Sequence, residues 1–176
     1  MVLISLVALL PHCAPTIDPD TALRLIQAES GARQFAININ GPFRLSRQPA
    51  SYHEFLQVVQ TLDAGGYNFD FGFAQANNRE VKRRGHTVSD VAQPCNNLRF
   101  MQQVLGDCYR QVPATFNNPQ DRLANALSCY KTGRYGPGFR NGYVYRVWRA
   151  NPSKAQQATV QVPPAHLPSQ LKEKTS

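Results

Sequence analysis

Apolar residues recur at helical spacing in the segment that follows Ile17. Asp18 is a typical N-cap residue, and a glycine such as Gly31 often follows the last residue of a helix. We therefore predict a helix that begins at Asp18-Pro19 and ends at Ser30. Its predicted apolar face contains the residues at positions i, i+3, i+4 and i+7, which are Ala22, Leu25, Ile26 and Glu29. An acidic residue therefore lies on an apolar face.

Helical spacing returns in four later segments. Ser51 and Glu54 have the spacing of a capping box, and the helix that they begin is predicted to end at Gly65-Gly66. The other predicted helices begin near Pro94, at Asp121 and at Tyr143.

The segment between the second and third predicted helices has a different period. Tyr67, Phe69, Phe71 and Phe73 alternate with polar or small residues, which predicts a short extended element that leads to Gln75 and Asn77. Residues 38–49 and a basic stretch that extends to Gln93 are predicted to be loops. The predicted fold class is mainly α, an α+β domain with a small extended element.

The two ends of the chain differ from residues 13–150, the predicted domain. Residues 1–12 are mostly apolar but too few to span a bilayer, so they are a degenerate or partial export signal or a buried first segment. Residues 151–176 combine proline, glutamine and lysine without an apolar period, which predicts a disordered tail.

The chain is basic, with 19 Lys and Arg against 11 Asp and Glu and a formal net charge of +8. A basic surface favours an anionic partner, although it is also compatible with a protein that is simply basic. The cationic residues are scattered, and Lys82-Arg83-Arg84 is the longest run. This pattern does not predict a nucleic-acid partner.

The cysteines favour disulfides. There are four, Cys13, Cys95, Cys108 and Cys129, and they contain no Cys-x-x-Cys motif. The four histidines show no metal-ligand spacing either, so neither a metal site nor a cofactor is predicted. Two disulfides in an oxidising compartment are the favoured interpretation, with free buried thiols as the alternative; three pairings remain open.

Glu29 is the strongest candidate for chemistry. Burial and the partial negative charge at a helix C-terminus both favour the neutral, protonated carboxyl group. A protonated carboxyl near neutral pH is the general acid that glycosidic cleavage requires. The alternative is a glutamate that turns into solvent.

Three segments in this order resemble the signatures of the transglycosylases of the goose-lysozyme-like group: Glu29-Ser30-Gly31, residues 71–75 and residues 127–133. Further segments resemble the transglycosylases associated with type IV secretion and conjugation systems. These are Cys13-Ala14-Pro15, residues 68–72, residues 74–77, residues 94–98 and residues 107–109. The resemblance as a whole covers about residues 13–148.

The resemblance implies a lysozyme-like domain with a glycan cleft and a role for several residues. Glu29 is implied as the catalytic acid and base, and Ser30 as a residue that holds Glu29 or a sugar hydroxyl. Gln75 and, more weakly, Asn77 are implied to bind the glycan. Tyr130 is implied to orient Glu29 through its hydroxyl, and Tyr143 to lie near the cleft. Either tyrosine can instead be a core aromatic residue.

The resemblance also implies partners and a location. The substrate is expected to be peptidoglycan in the periplasm, the partners to be components of a type IV secretion or conjugation system, and no cofactor, metal or integral membrane span is expected. The chain departs from the family pattern at Phe73-Ala74, which replace Leu-Met, and at Lys131, which replaces an asparagine. Lys131 adds a charge and removes the asparagine side chain that the family pattern places after the tyrosine.

The mechanism implied by the family needs one carboxyl group, whereas ordinary glycosidases use two. Asp70 is the best placed second carboxylate, although its alternation with Phe69 and Phe71 favours a position facing solvent. A hydrolytic muramidase and a non-catalytic wall-binding assembly factor are therefore kept as alternatives to a lytic transglycosylase.

Overall fold

The helix predicted from the first apolar pattern is present with the predicted bounds. In the computed structural model, which describes residues 1–172, it extends over Pro19–Ser30. The Asp18 carboxylate accepts a hydrogen bond from the amide of Thr21 at 3.0 Å, and Gly31 ends the helix with a φ of 61°. Its apolar residues Ala22, Leu25 and Ile26 are fully buried. Local capping and periodicity therefore account for this element.

The described residues contain helices and two small antiparallel sheets, which confirms the predicted fold class. The helices are α1 Leu6–Cys13, α2 Pro19–Ser30, α3 Tyr52–Ala64, α4 Asn78–Arg83, α5 Val88–Ala92, α6 Pro94–Arg110, α7 Pro119–Thr132, α8 Pro137–Arg140, α9 Tyr143–Trp148, α10 Ser153–Gln157 and α11 Ser169–Lys172. The strands are β1 Val2–Ser5, β2 Ile37–Ile39, β3 Phe69–Phe71, β4 Ala76–Asn77 and β5 Thr159–Val162.

Two clusters of buried side chains form the core. The larger one gathers residues of α1, α2, α6, α7 and α9, including Leu6, Leu25, Met101 and Leu127. The smaller one joins α3 and α5 to the sheet β2-β3-β4, in which β3 is the central strand. Helix α2 belongs to the first cluster and the sheet to the second, so polar residues of both meet at the boundary between them.

Two disulfides join helices of the larger cluster. Cys13 pairs with Cys95, which links α1 to α6, and Cys108 pairs with Cys129, which links α6 to α7. The prediction of two disulfides is confirmed, and the structure selects one of the three pairings. Their sequence separations of 82 and 21 correspond to about 4.5 and about 3 kcal/mol of stabilisation in the chain-entropy description.

The two ends of the described chain pair with each other. Strand β1 is antiparallel to β5, with Val2 opposite Val162 and Ser5 opposite Thr159. The prediction of a disordered tail over 151–176 is therefore wrong for residues 151–172, which contain α10, β5 and α11. Val160 and Val162 are fully buried on either side of Gln161, a period of two that is too short to stand out in a segment rich in proline and glutamine. Residues 173–176 lie outside the described part.

The apolar segment at the start of the chain belongs to the larger cluster. Leu6 and Leu9 are fully buried and Leu10 is nearly so. This matches the buried first segment, one of the alternatives that the sequence leaves open, and whether residues 1–12 also act in export stays a prediction. Among residues 1–172, no helix has both the length and the apolar character to cross a membrane.

The basic stretch before Gln93 also differs from its prediction as a loop. It contains the short helices α4 and α5, whose first turns are capped by the side chains of Asn77 and Thr87. Helices of five and six residues carry too little periodicity to be recognised from sequence.

Candidate active site

Glu29 lies in the last turn of α2, at the boundary between the two core clusters. Its side chain is only 3% exposed. The carboxyl group lines two cavities, and Asn38, Asp70, Gln75 and Lys131 line both of them as well. The cavities are therefore two arms of one cleft, and Glu29 lies where they meet.

The arms differ in the residues that complete them. The first, which we call the sheet arm, has a volume of about 480 Å³ and is completed by Asn40, Asn77, Glu80 and Tyr130. The second, which we call the basic arm, has a volume of about 390 Å³ and is completed by Arg33, Arg44, Gln48 and Arg146. A polymer that threads the cleft meets a polar and acidic wall on one side of Glu29 and a cationic wall on the other.

Both carboxyl oxygens of Glu29 accept hydrogen bonds. The hydroxyl of Tyr143, in the first turn of α9, donates to Oε1. The ammonium of Lys131, near the end of α7, donates to Oε2 at 3.0 Å. The Tyr143 side chain is buried, and this burial together with the charge of Glu29 raises the pKa of its hydroxyl well above the usual value. Tyr143 therefore remains a hydrogen-bond donor over the working pH range.

Tyr130 does not have the role that the resemblance implies. Its hydroxyl donates to the carbonyl oxygen of Ala74 at 2.7 Å rather than to Glu29. Burial, assisted by the charges of Glu29 and Asp70, raises the pKa of the Tyr130 hydroxyl well above the usual value. Tyr130 thus ties α7 to the segment that carries Gln75, and the residue that orients Glu29 in the structure is Tyr143.

The expected role of Ser30 is also corrected. Its hydroxyl donates to the carbonyl oxygen of Ile26 at 3.0 Å, and the residue is only 2% exposed. A serine inside a helix often bonds to the carbonyl one turn earlier. Ser30 therefore completes the end of α2, and its hydroxyl does not donate to Glu29.

Gln75 lies in the cleft in a strained backbone conformation. Its φ is 49°, a region that residues other than glycine rarely adopt. The side-chain amide donates to the carbonyl oxygens of Ala36 and Gly72, at 3.1 and 3.0 Å. These two bonds hold Gln75 in place and leave its Oε1 as the acceptor that a ligand can use.

Asn77 lines the sheet arm, but its polar atoms have structural partners. Its amide donates to the side chains of Asn68 and Asp70, each at 2.8 Å, and its oxygen caps α4. Direct sugar binding by Asn77 needs a rearrangement of these bonds.

Asp70 reaches the cleft, although the sequence pattern favours a position facing solvent. One oxygen accepts from Asn77 at 2.8 Å and the other accepts from Asn40 at 3.2 Å. Asp70 is therefore a second carboxylate in the same cleft as Glu29, held by neutral amides.

The backbone before Gln75 is held by Asn97, a residue whose role no sequence motif indicates. Gly72 has a φ of 80°, and a Cβ atom there would lie 2.5 Å from the amide nitrogen of Asn97. That buried amide donates to the carbonyl oxygens of Phe71 and Val91, and its oxygen accepts from Ala74. Asn97 lies inside the segment 94–98 that carries the resemblance, but no local pattern indicates its role.

The part of the chain that matches a known family has nearly the same bounds as the predicted domain, residues 13–150. A family profile described as the transglycosylase SLT domain matches residues 10–147. The chain belongs to the SLT transglycosylase domain family. The resemblance to transglycosylases that the sequence motifs indicate is thereby confirmed, and Glu29, Gln75, Tyr130 and Tyr143 all lie inside the matched SLT region.

The relatives of this SLT domain include proteins that are named for a type IV secretion system. The chain is 37% identical to the type IV secretion system protein virB1 of Brucella abortus over 82% of its own length and 63% of that protein. The same figures hold for the protein of that name in Brucella suis. It is 32% identical to the protein virB1 of Agrobacterium fabrum, over 77% of this chain and 55% of that protein. The chain thus spans little more than half to three fifths of these relatives. No solved structure matches it significantly.

Proposed function

We propose that this chain is a peptidoglycan lytic transglycosylase with Glu29 as its catalytic acid and base. The observation that carries the proposal is the place of the Glu29 carboxyl group, which is nearly buried at the meeting point of two arms of an elongated cleft. The chain's membership of the SLT transglycosylase family supports the same activity.

In the proposed reaction, protonated Glu29 donates its proton to the oxygen of the β-1,4 bond between N-acetylmuramic acid and N-acetylglucosamine. The N-acetyl group of the substrate assists departure of the leaving sugar. The Glu29 carboxylate then accepts the proton of the C6 hydroxyl, whose oxygen closes a 1,6-anhydro ring. Glu29 thereby regains its proton, and the reaction consumes no water. Tyr143 holds the carboxyl group in one orientation through both steps.

The buried carboxyl group must also release one of its two hydrogen-bond donors. Oε1 is bonded to Tyr143, which is 1% exposed, and Oε2 is bonded to Lys131, whose side chain is 38% exposed. Lys131 is the donor that can move into solvent or toward a ligand, so we place the reacting proton on Oε2.

We further propose that the protein acts in the periplasm and opens the wall locally for a type IV secretion or conjugation apparatus. The names of its relatives support this context. The two disulfides support export, because disulfides persist in oxidising compartments.

The test is a digestion of purified peptidoglycan with the chain and with Glu29→Gln, followed by mass spectrometry of the soluble products. We expect muropeptides that end in 1,6-anhydro-N-acetylmuramic acid and expect Glu29→Gln to abolish them. Glu54→Gln is the matched control, because it removes a carboxylate from the start of α3 and should leave the products unchanged.

Other products would point to the alternatives. Asp70 in the cleft is the observation that favours a muramidase. Products heavier by one water, and lost in Asp70→Asn, would establish that hydrolytic reaction. Wall binding without release of any product would favour an assembly factor in which Lys131 holds Glu29 inactive.

A further inference from the structure

The basic arm contains cationic groups that the proposed bond cleavage does not use. Arg33, Arg44 and Arg146 line this arm together with Lys131. Each of the three arginines is exposed. Within residues 1–172, none of their guanidinium groups lies within 4.0 Å of a carboxylate. Lys131, by contrast, is paired with Glu29.

The protein holds these arginines in place through groups other than carboxylates. Arg33 donates to the carbonyl oxygen of Ser30 at 3.1 Å, and Arg44 donates to the carbonyl oxygens of Gly41 and Phe43. The Arg146 guanidinium lies 5.3 Å from the ring centre of Tyr143. These contacts fix the side chains while leaving most of their donor groups free.

The acidic groups nearby do not neutralise this wall. Glu29 and Asp70 are the carboxylates that line the basic arm. Glu29 already accepts from Tyr143 and Lys131, and Asp70 accepts from Asn40 and Asn77. Together with Lys131, four cationic groups line the arm against these two carboxylates, which leaves an excess of two positive charges.

We propose that the basic arm is a binding site for carboxylates of the substrate strand, and this inference rests on the proposed function. The planar guanidinium group matches a carboxylate with two parallel hydrogen bonds. The sugar rings of a glycan strand supply no such group at the cleavage point, whereas the stem peptide does. The lactyl group of N-acetylmuramic acid supplies a carboxylate only where its stem peptide has been removed. The arm thus selects strands by charge beside the bond that is cut.

The test compares cleavage of native peptidoglycan with cleavage of the same material after its carboxyl groups have been converted to methylamides with carbodiimide and methylamine. We expect the initial rate at low substrate concentration to fall about tenfold on the neutralised wall, an effect that two exposed ion pairs can supply. The double variant Arg44→Gln/Arg146→Gln should lose the same factor on native wall and little on neutralised wall.

The matched control is Arg99→Gln/Arg140→Gln, which removes two exposed positive charges from outside both arms. It has the same net charge as the cleft variant. If its cleavage rate on native wall fell by the same factor, the effect would come from general attraction to the wall, and the proposed carboxylate site would be refuted. Equal rates of the unsubstituted chain on native and neutralised wall would overturn it as well.

A third substrate distinguishes the two sources of carboxylate. In intact wall the lactyl carboxyl group forms the amide bond to the stem peptide, so a preference for native over neutralised wall reports carboxylates of the stem peptide. An amidase removes the peptides and frees the lactyl carboxylates, and part of this stripped wall is then neutralised with methylamine. Faster cleavage of the charged stripped wall shows that the arm also binds the lactyl group, and equal rates on the two stripped walls assign the stem peptide. Anhydro products formed at rates that do not depend on carboxylates would refute this site alone, whereas the absence of anhydro products from every wall would refute the proposed function.

Discussion

The hydroxyl of Tyr143 donates a hydrogen bond to Oε1 of Glu29 across a sequence separation of 114 residues. The two side chains belong to α9 and α2, which pack against each other in the larger core cluster. Because both residues are nearly buried, water does not readily replace the tyrosine hydroxyl as the donor. The orientation of the proposed catalytic carboxyl group therefore depends on the packing of these two helices.

Tyr143→Phe should lower kcat while the ring continues to fill its place. A hydrogen bond to a charged group contributes about 1.5–3 kcal/mol, which corresponds to a fall of about 10- to 100-fold. Tyr130→Phe should cost about 1 kcal/mol of stability, because it removes a bond to a backbone carbonyl, and should change kcat less. The measurements are anhydro-product rates, wall binding and thermal unfolding of both variants. A larger loss of kcat in Tyr130→Phe, at unchanged stability, would restore the role that the sequence resemblance implies.

Lys131→Met should raise kcat for the formation of anhydro products. The Lys131 ammonium donates to Oε2 of Glu29 at 3.0 Å, and Oε2 is the oxygen on which we place the reacting proton. Without this donor the substrate has free access to Oε2, and the loss of one partly exposed bond of about 0.5–1 kcal/mol corresponds to a rise of about two- to fivefold. Lys131→Asn, which introduces the residue that the sequence resemblance leads us to expect, should change kcat in the same direction.

The control for this prediction is Lys154→Met, which removes an exposed ammonium from a residue that lines neither arm. Its kcat should equal that of the unsubstituted chain. An unchanged or lower kcat of Lys131→Met would mean that the Lys131 ammonium does not compete with the substrate for Oε2.

The elements around Glu29 were predictable to the extent that their signals are local. Asp18, Gly31 and the apolar spacing between them are sufficient to place Glu29 at a buried helix end. The partners of Glu29 were not predictable, because Lys131 and Tyr143 reach it from helices 102 and 114 residues away. Both Tyr130 and Tyr143 fit the sequence, and only the packing of α7 and α9 separates their roles.

The ordered segment after Ala150 shows a second limit of structure prediction from local sequence patterns. Strand β5 has four residues, and its partner β1 lies at the other end of the described chain. The pairing places Val160 opposite Ile4 and in the same buried cluster as the leucines of α1, a long-range arrangement that a composition rich in proline and glutamine conceals. Local patterns cannot predict such a contact, because neither strand is stable alone.

Val160→Asp tests whether this segment is part of the domain. Burial of an unpaired carboxylate at a fully buried position should cost about 3–4 kcal/mol and lower Tm by about 10 °C. Thr159→Asp, one residue earlier on the exposed side of the same strand, should change stability by less than about 0.5 kcal/mol. Thermal unfolding of both variants checks the expectation. If the tail were disordered, neither substitution would change Tm.

Arg84→Met should destabilise the protein at neutral pH and much less in acid. The Arg84 side chain is 15% exposed and donates to Glu80 on α4 and to Asp107 on α6. Its hydrogen bond lowers the pKa of the Asp107 carboxyl below the usual value. The pKa of Glu80 is also lowered, first by Arg83 and then by Arg84. Since Met keeps the apolar stem, the loss should be about 1–3 kcal/mol, or several degrees in Tm.

The sign of the pH dependence follows from these lowered pKa values. A carboxylate whose pKa is lower in the folded protein stabilises it fully above the pKa of the unfolded chain, and this contribution disappears as the pH falls through the folded value. The difference in Tm between the unsubstituted chain and Arg84→Met should therefore be largest near pH 7 and shrink below about pH 4. Arg83→Met, which removes a well-exposed partner of Glu80, should lower Tm much less than Arg84→Met at any pH, because solvent screens an exposed ion pair. If the Arg84→Met difference persists unchanged at low pH, Arg84 stabilises the domain through packing, and the link from α4 to α6 does not depend on the two carboxylates.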